Sequence, residues 1–253
     1  MTEMLEIDGL YKTFGAVKAV NGVSLTVPAG QVLGFLGPNG AGKSTTMKMV
    51  AGFLDPDQGS ARICGNDIVE SPKEAKANLG YLPEGAPAYG EMTPRGFLKF
   101  CAKIRGLTGQ QGRQAVDLAI ERTALSLVAE QTIETLSKGF KRRVGIAQAI
   151  LHEPKVLILD EPTDGLDPNQ KQQVRELIGE LSKDRAIVIS THILEEVDAV
   201  CDRAVIIDQG RVVADGTADE LRKLIPGKKA PSLEEVFRHI TTNDALTVGG
   251  END

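Results

Sequence analysis

The sequence predicts an α/β fold: a mainly parallel sheet flanked by helices and interrupted by a helical insert. Three observations point there. Short, fully apolar runs alternate with stretches of helical spacing, the pattern of strands buried in a parallel sheet. A glycine-rich loop follows one such run and precedes a helical stretch. From Gly85 to about Leu136 the strand pattern gives way to helices, so one block is inserted into an otherwise alternating chain.

Taken in order, Leu5–Leu10 and Val23–Val27 read as strands, followed by a turn at Pro28-Ala29-Gly30. Val32–Leu36 is a short apolar run expected as a buried strand, and a helix is expected from about Lys43 to Gly52. Ser60–Cys64 and Asn78–Leu82 read as further strands. In the insert, Thr93 offers a hydroxyl cap and Pro94 suits a first helical turn, with Phe97, Phe100, Cys101 and Ile104 at helical spacing behind them. Gly106–Gly112 reads as a loop, Arg113–Ser126 as a helix and Lys138–His152 as another. Alternation then resumes: strand Val156–Leu159, a helix from Asp167-Pro168 with Val174, Leu177, Ile178 and Leu181 on one face, strand Ala186–Ile189, helix Ile193–Val200 and strand Ala204–Ile207. Gln209-Gly210 is a hairpin turn, and Leu233–Ile240 a short amphipathic piece. The expected organisation is one domain over residues 1–240, with a helical subdomain at about 85–150, and a polar, disordered tail over 241–253.

Composition removes several function classes. The 253 residues are 25% charged, with aliphatic residues enough for a sizeable core, so the chain is not a disordered polymer. A net charge of −6, with 4% aromatics and no Trp, argues against a nucleic-acid partner. One basic run, Lys138, Lys141, Arg142 and Arg143, is either a solvated helix face or a functional patch. Cys64, Cys101 and Cys201 are widely spaced, as expected of a reduced cytosolic protein, and His152, His192 and His239 show no metal-ligand spacing. Met1–Glu6 lacks the basic and apolar regions of a leader, and nowhere do about 18 apolar residues run together, so a role at a membrane would need a partner.

Two motifs carry chemistry. Gly37-Pro38-Asn39-Gly40-Ala41-Gly42-Lys43-Ser44 fits the phosphate-binding pattern G-x-x-x-x-G-K-[ST] in its expected place, after a strand and before a helix. Its glycines let backbone N–H groups wrap phosphates, and the helix start adds partial positive charge. Lys43 supplies a full charge to the β- and γ-phosphates, and the Ser44 hydroxyl suits a Mg²⁺ shell. Secondly, Val156–Leu159 ends in Asp160-Glu161, two carboxylates delivered to the edge where open α/β sheets bind ligands. Asp160 suits Mg²⁺, and Glu161 suits polarisation of an attacking water.

At this point the chain resembles the ATPase subunit of ABC transporters, over residues 3–240. Phe14, in Lys12-Thr13-Phe14-Gly15, matches the aromatic that stacks on adenine; Gly37–Ser44, with Thr45 beyond it, matches the Walker A loop; Glu84 stands where the family has the Q-loop glutamine. Leu136-Ser137-Lys138-Gly139-Phe140 matches the signature L-S-G-G-Q, Asp160 and Glu161 the Walker B acid and catalytic glutamate, Gly165-Leu166-Asp167 the D-loop, and His192 the switch histidine. The resemblance implies a RecA-like P-loop NTPase core, an N-terminal antiparallel β subdomain, and a homodimer that sandwiches two ATP molecules. Ser137, Lys138, Gly139 and Asp167 would then serve the nucleotide held by the other subunit, and Ser44, Glu84 and Asp160 would surround Mg²⁺. It further implies a separate transmembrane permease docking near Glu84–Met92, and a peripheral position on the cytoplasmic face of the inner membrane.

The chain departs from the family pattern at Lys138, Phe140 and Glu84, each replacing a glycine or glutamine. The stretches 80–84, 92–95, 136–140, 160–170 and 232–237 resemble bacterial type-2 exporter ATPases, with the gliding-motility group nearest in look. Two other readings are weighed. An ABC ATPase acting on DNA or ribosomes would usually carry a second cassette, a coiled coil or a basic insertion. A P-loop switch or kinase would lack the signature and switch elements.

Overall fold

Alternating burial shapes the first two strands. In the computed structural model, which describes residues 3–225 and 231–247, β1 (Glu3–Phe14) and β2 (Val17–Pro28) form a long antiparallel hairpin. Leu5, Ile7 and Leu10 face inward opposite Val27, Leu25 and Val23. After β3 (Val32–Leu36) and α1 (Lys43–Val50), the chain returns with β4 (Gln58–Ile63) and the two-residue β5 (Asn66–Asp67). These complete a four-stranded antiparallel sheet in the order β2-β1-β4-β5, the N-terminal subdomain that the resemblance implied.

α2 (Pro72–Ala77) and β6 (Leu79–Leu82) lead into the insert, where α3 (Pro94–Ile104) and α4 (Gly109–Arg122) precede α5 (Lys138–Ile150). Thr93 caps α3 as the sequence suggests, its hydroxyl accepting from the Gly96 N–H at 3.1 Å. The rest of the chain is β7 (Val156–Asp160), α6 (Pro168–Leu181), β8 (Ala186–Thr191), α7 (Leu194–Val200), β9 (Arg203–Asp208), β10 (Arg211–Gly216), α8 (Ala218–Arg222) and α9 (Leu233–Thr247). The second sheet runs β10-β9-β3-β8-β7-β6 and is parallel except where β10 folds back on β9.

Both faces of this sheet are covered, which explains its uninterrupted apolar strands. Leu157 and Leu159 of β7 point into a core shared with Leu82, Leu98, Val144 and Ile146 from the insert side. Val156 and Ile158 point the other way, towards Leu33, Phe35, Met47 and the inward row of β1 and β2. A third cluster joins Leu36, Val197 and Ile206 to Leu233 and Val236 of α9. Each fully buried aliphatic side chain contributes about 1.5–3 kcal/mol relative to exposure.

Several elements differ from the sequence expectation. α4 starts at Gly109, inside the stretch read as loop 106–112. Gly112 is a packing residue: a Cβ there would stand 2.4 Å from the Leu107 carbonyl oxygen. The helix also ends at Arg122 rather than near Ser126, where a short 3₁₀ turn (Ser126–Val128) follows. α2, β10 and α8 went unread; α2 and α8 are too short to show helical periodicity. The hairpin turn at Gln209-Gly210 is present, both residues at positive φ, and it is what brings β10 back antiparallel. α9 runs on to Thr247, beyond the expected start of the polar tail, whose residues 248–253 lie outside those described. Among the described residues no helix is long and apolar enough to cross a membrane.

The insert is fixed to the sheet by a close approach at Gly80 in β6. A Cβ there would lie 2.3 Å from the Ala149 carbonyl oxygen of α5 and 2.5 Å from Leu157 Cδ2. Gly80→Ala should therefore lower stability by about 1–3 kcal/mol in urea unfolding, the usual cost of overpacking. A change below about 0.5 kcal/mol, an ordinary surface effect, would mean that α5 is free to move away from β6.

Candidate nucleotide site

Register decides which side chains meet. Leu36, the last residue of β3, pairs with Thr191 at the end of β8, and Asp160 at the end of β7 pairs with Ser190. Leu82 of β6 pairs with Leu159. The strands therefore end almost flush. The loop after β3, the acids after β7, the Thr191-His192 turn after β8 and Glu84 after β6 all leave the sheet at one edge.

The glycine-rich loop needs its glycines for two distinct reasons. Gly40 and Gly42 have φ of 85° and 102°, left-handed backbone that favours glycine. Gly37 and Gly42 also sit against carbonyls: an added Cβ would lie 2.4 Å from Ile207 O and 2.2 Å from Ala19 O respectively. Pro38 O accepts from the Ala41 N–H at 3.1 Å, closing the turn. Ser44 and Thr45, half-buried, follow at the start of α1, where free N–H groups face the loop. Lys43 is buried and folds back over the loop, donating to Gly37 O at 2.6 Å and Pro38 O at 3.1 Å. Burial pushes its pKa down, while Glu161, Asp160 and Glu84 act in the opposite direction. An ammonium surrounded by carbonyls and acids is ready to exchange these partners for phosphate oxygens.

Asp160 is almost completely buried, and burial raises its carboxyl pKa. The negative neighbours Glu161 and Glu84 raise it further, while Lys43 opposes them. Glu161 has φ of 50°, a left-handed conformation costing a non-glycine residue about 1–2 kcal/mol. The surroundings hold it there. Its N–H donates to Ser190 O at 2.8 Å, Oε1 lies 2.8 Å from His192 Nδ1, and Oε2 accepts from the Thr191 hydroxyl at 3.3 Å. With Nδ1–H donated to the carboxylate, Nε2 of the exposed His192 ring is left as an acceptor. Thr191 Oγ1 also stands 3.3 Å from Oε2 of the buried Glu196, whose carboxyl pKa burial raises, and accepts from the Ile193 N–H. A hydroxyl has one proton, so it can donate to only one of the two acids at a time.

The signature residues form a neighbouring cluster. Ser137 caps α5, accepting from the Phe140 N–H at 3.4 Å. Gly139 is buried, and a Cβ on it would lie 2.4 Å from Gln170 Oε1. Gln170 is itself locked by Asp167, which caps α6 in a reciprocal capping box. The stem of Lys138 lies beside Gly165, 3.4 Å from where a Cβ would be, and its head is exposed. Phe140 is half-buried under the Arg143 guanidinium, 5.6 Å from ring centroid to charge. The basic run is thus split: Lys138 and Lys141 face solvent, while Arg142 and Arg143 turn inward. Phe14 is no core residue. It stands 50% exposed near the tip of the β1–β2 hairpin with Lys12 Nζ 5.9 Å from its ring centroid.

Arg142, Thr191 and Gln170 were not assigned roles from sequence. For Arg142 a signal existed: α5 is buried nearly all round, and a charge within such a helix is normally a paired one.

A P-loop in front of α1, a carboxylate pair at the adjoining strand end and a histidine bonded to the second acid define a nucleotide triphosphatase. The particular kind is settled by comparison. The ABC transporter family profile matches residues 20–164, more than half of the chain. The chain is 37% identical to the linearmycin resistance ATP-binding protein of Bacillus subtilis over 225 residues, 88% of this chain and 72% of that one. It is also 37% identical to the daunorubicin/doxorubicin resistance ATP-binding protein of Streptomyces peucetius over 260 residues, 100% of this chain and 79% of that one. A solved structure described as the ATP-binding subunit of an ABC transporter superposes with a TM-score of 0.85 at 33% identity, covering 94% of this chain and 99% of that one. The chain belongs to the ABC transporter family and is an ATP-binding, ATP-hydrolysing subunit. Such subunits dimerise and work with transmembrane partners.

Proposed function

We propose that this chain powers export: two copies close on two ATP molecules beneath a separate transmembrane subunit, on the cytoplasmic face of the inner membrane. The observation that carries the reading is the flush sheet edge, where Lys43, Asp160, Glu161 and the Thr191-His192 turn converge. The resistance functions in the names of the two relatives support outward transport.

Phe14 stacks on the adenine, and the backbone from Gly37 to Thr45 wraps the phosphates while Lys43 trades its carbonyl partners for β- and γ-phosphate oxygens. The Ser44 hydroxyl, Asp160 and Glu84 are the hard oxygen donors that Mg²⁺ prefers. Among the described residues no group of three or more His, Cys, Asp and Glu side chains could hold a metal, so the donor set is completed by phosphate and water oxygens. The ion supplies charge neutralisation on the β- and γ-oxygens when bound. Glu161 accepts a hydrogen bond from the attacking water and orients it in line with the γ-phosphorus. His192 exchanges Glu161 for a γ-phosphate oxygen. Ser137, Lys138, Gly139 and Asp167 face the nucleotide of the opposing copy, with the free N–H groups at the start of α5 meeting its γ-phosphate.

Glu161→Gln keeps the shape of the side chain but removes the carboxylate that orients water. ATP should then bind and persist, and an ATP-dependent dimer should accumulate on size exclusion. Ordinary hydrolysis by this variant would assign the water to another residue.

The transmembrane partner has a candidate seat. A groove of about 990 Å³ runs between the nucleotide core and the insert, bordered by Pro83 and Pro87 of the 84–92 region and floored by Tyr81, Phe97 and Cys101. Phe53 and Ile104, 73% and 69% exposed, stand on its walls. Lys73, Lys76 and Arg105 give it a basic rim with no acidic lining residue, a match for an apolar helix carrying acidic side chains. Tyr89 lies just beyond, edge-on to Phe97 and Phe100. Ile104→Asp should leave ATP binding by the isolated chain intact and sharply reduce copurification with its membrane subunit, and Tyr89→Asp should act in the same direction more weakly. Normal assembly and transport by Ile104→Asp would move the docking site elsewhere.

A further inference from the structure

The buried guanidinium of Arg142 has no part in the mechanism above, yet it occupies the junction between the two halves of the site. Arg142 is only 6% exposed. It projects from the first turns of α5 towards the end of β7, where Nη1 donates to the Asp160 carbonyl oxygen at 3.4 Å. That carbonyl belongs to the peptide entering Glu161, the residue held at φ of 50°. Four carboxylates act on the guanidinium: Asp164, Glu161, Asp160 and Glu84. A buried arginine in such company is costly to unpair, so it moves with the acids or not at all. Its planar fork of donors also fixes direction, as an ammonium would not.

The same helix begins at Ser137. The start of α5 and Arg142 are separated by roughly 7.5 Å of helix axis, at 1.5 Å per residue, within one rigid segment. Gly139 and Gln170 pack that start against α6, so a shift of α5 cannot be absorbed there without a clash. One end of this segment faces the opposing copy, and the other grips the backbone of its own copy's catalytic turn.

We propose that Arg142 is a positioning residue that carries engagement of α5 by the opposing copy's nucleotide to Glu161 of its own copy. One ATP site thereby sets the geometry of the other. This rests on the two-copy reading given above. Arg142 touches neither phosphate nor water; it acts through the peptide and carboxylate of the residue that orients the water.

The test compares Arg142→Gln and Arg142→Lys with the natural chain. Turnover per chain is measured against protein concentration, together with KM for ATP, and cooperative thermal unfolding is recorded for each variant. In a Glu161→Gln background, ATP-dependent dimerisation of the Arg142→Gln chain is followed by size exclusion. The natural chain should gain turnover as dimers form. Arg142→Gln should dimerise at the same ATP and protein concentrations, with KM within about twofold, yet reach a plateau about tenfold lower or less. Arg142→Lys keeps the charge without the planar fork and should fall between the two. An Arg142→Gln chain that gains turnover like the natural one overturns the proposal. So does loss of dimerisation in step with turnover, which marks a merely structural role. Should Arg142→Gln fail to fold, a full concentration response in Arg142→Lys overturns it. A natural chain whose turnover ignores concentration removes the two-copy reading, and the proposal with it.

Discussion

A triphosphate must be received at a sheet edge that already carries three carboxylates, and the buried ammonium of Lys43 is what makes that possible. Asp160, Glu161 and Glu84 all act on this one amine. Two unit charges about 4 Å apart at a protein surface interact by about 4 kcal/mol, so an edge holding the acids alone would repel the substrate it serves. Gly37 O and Pro38 O hold the ammonium in the loop before phosphate arrives. The left-handed glycines around it exist to bring backbone N–H groups and this amine to one point. A second cation, Arg142, sits on the far side of the same acids and is not offered to the nucleotide at all. The acids are thus held from two directions, one cation exchangeable and one fixed.

The sheet supplies the register that this balance requires. Because β3, β7 and β8 end flush, the phosphate loop, the acid pair and the histidine turn are neighbours without any long side chain having to reach. Strain is confined to Glu161, whose backbone is held by Ser190 and whose carboxylate is held by Thr191 and His192. The insert brings a different component. α5 is a buried rod with its start capped by Ser137 and its body fixed to β6 through Gly80. The groove on the other side of that joint is bordered by the segment following β6, so a partner seated there would press on the connection between Glu84 and the insert.

Much of this was legible in the sequence, for local reasons. The phosphate loop can be read because left-handed backbone demands glycine and because strand and helix flank it. Asp160 and Glu161 can be read because a fully apolar run can only be a buried strand, and whatever follows it must emerge at an edge. Arg142 could not be distinguished from Lys138 and Lys141 by composition, since only the packing of α5 against the acids turns it inward. The loop expected at 106–112 failed for a related reason: Gly112 signals close packing on Leu107, not a break in the helix. The short α2 and α8 leave no periodic trace, and the lysine in the signature could be placed beside Gly165 only once α6 and α5 were brought together. Long-range contact decides each of these, and single-sequence periodicity does not report it.

The central claim is that each ATP site is shared, with the phosphate loop and acids of one copy closed by the start of α5 from the other. Mixing two inactive chains tests it most directly. A Glu161→Gln chain lacks the water-orienting acid, and a Ser137→Arg chain lacks a usable α5 start; each alone should hydrolyse ATP negligibly. In a mixed dimer one of the two sites combines intact loop and acids from the second chain with an intact Ser137 from the first. ATP hydrolysis by the mixture should rise well above the sum of the separate chains, following the amount of mixed dimer formed. Mixed dimers that form and yet hydrolyse no more ATP than their parents would contradict the shared site.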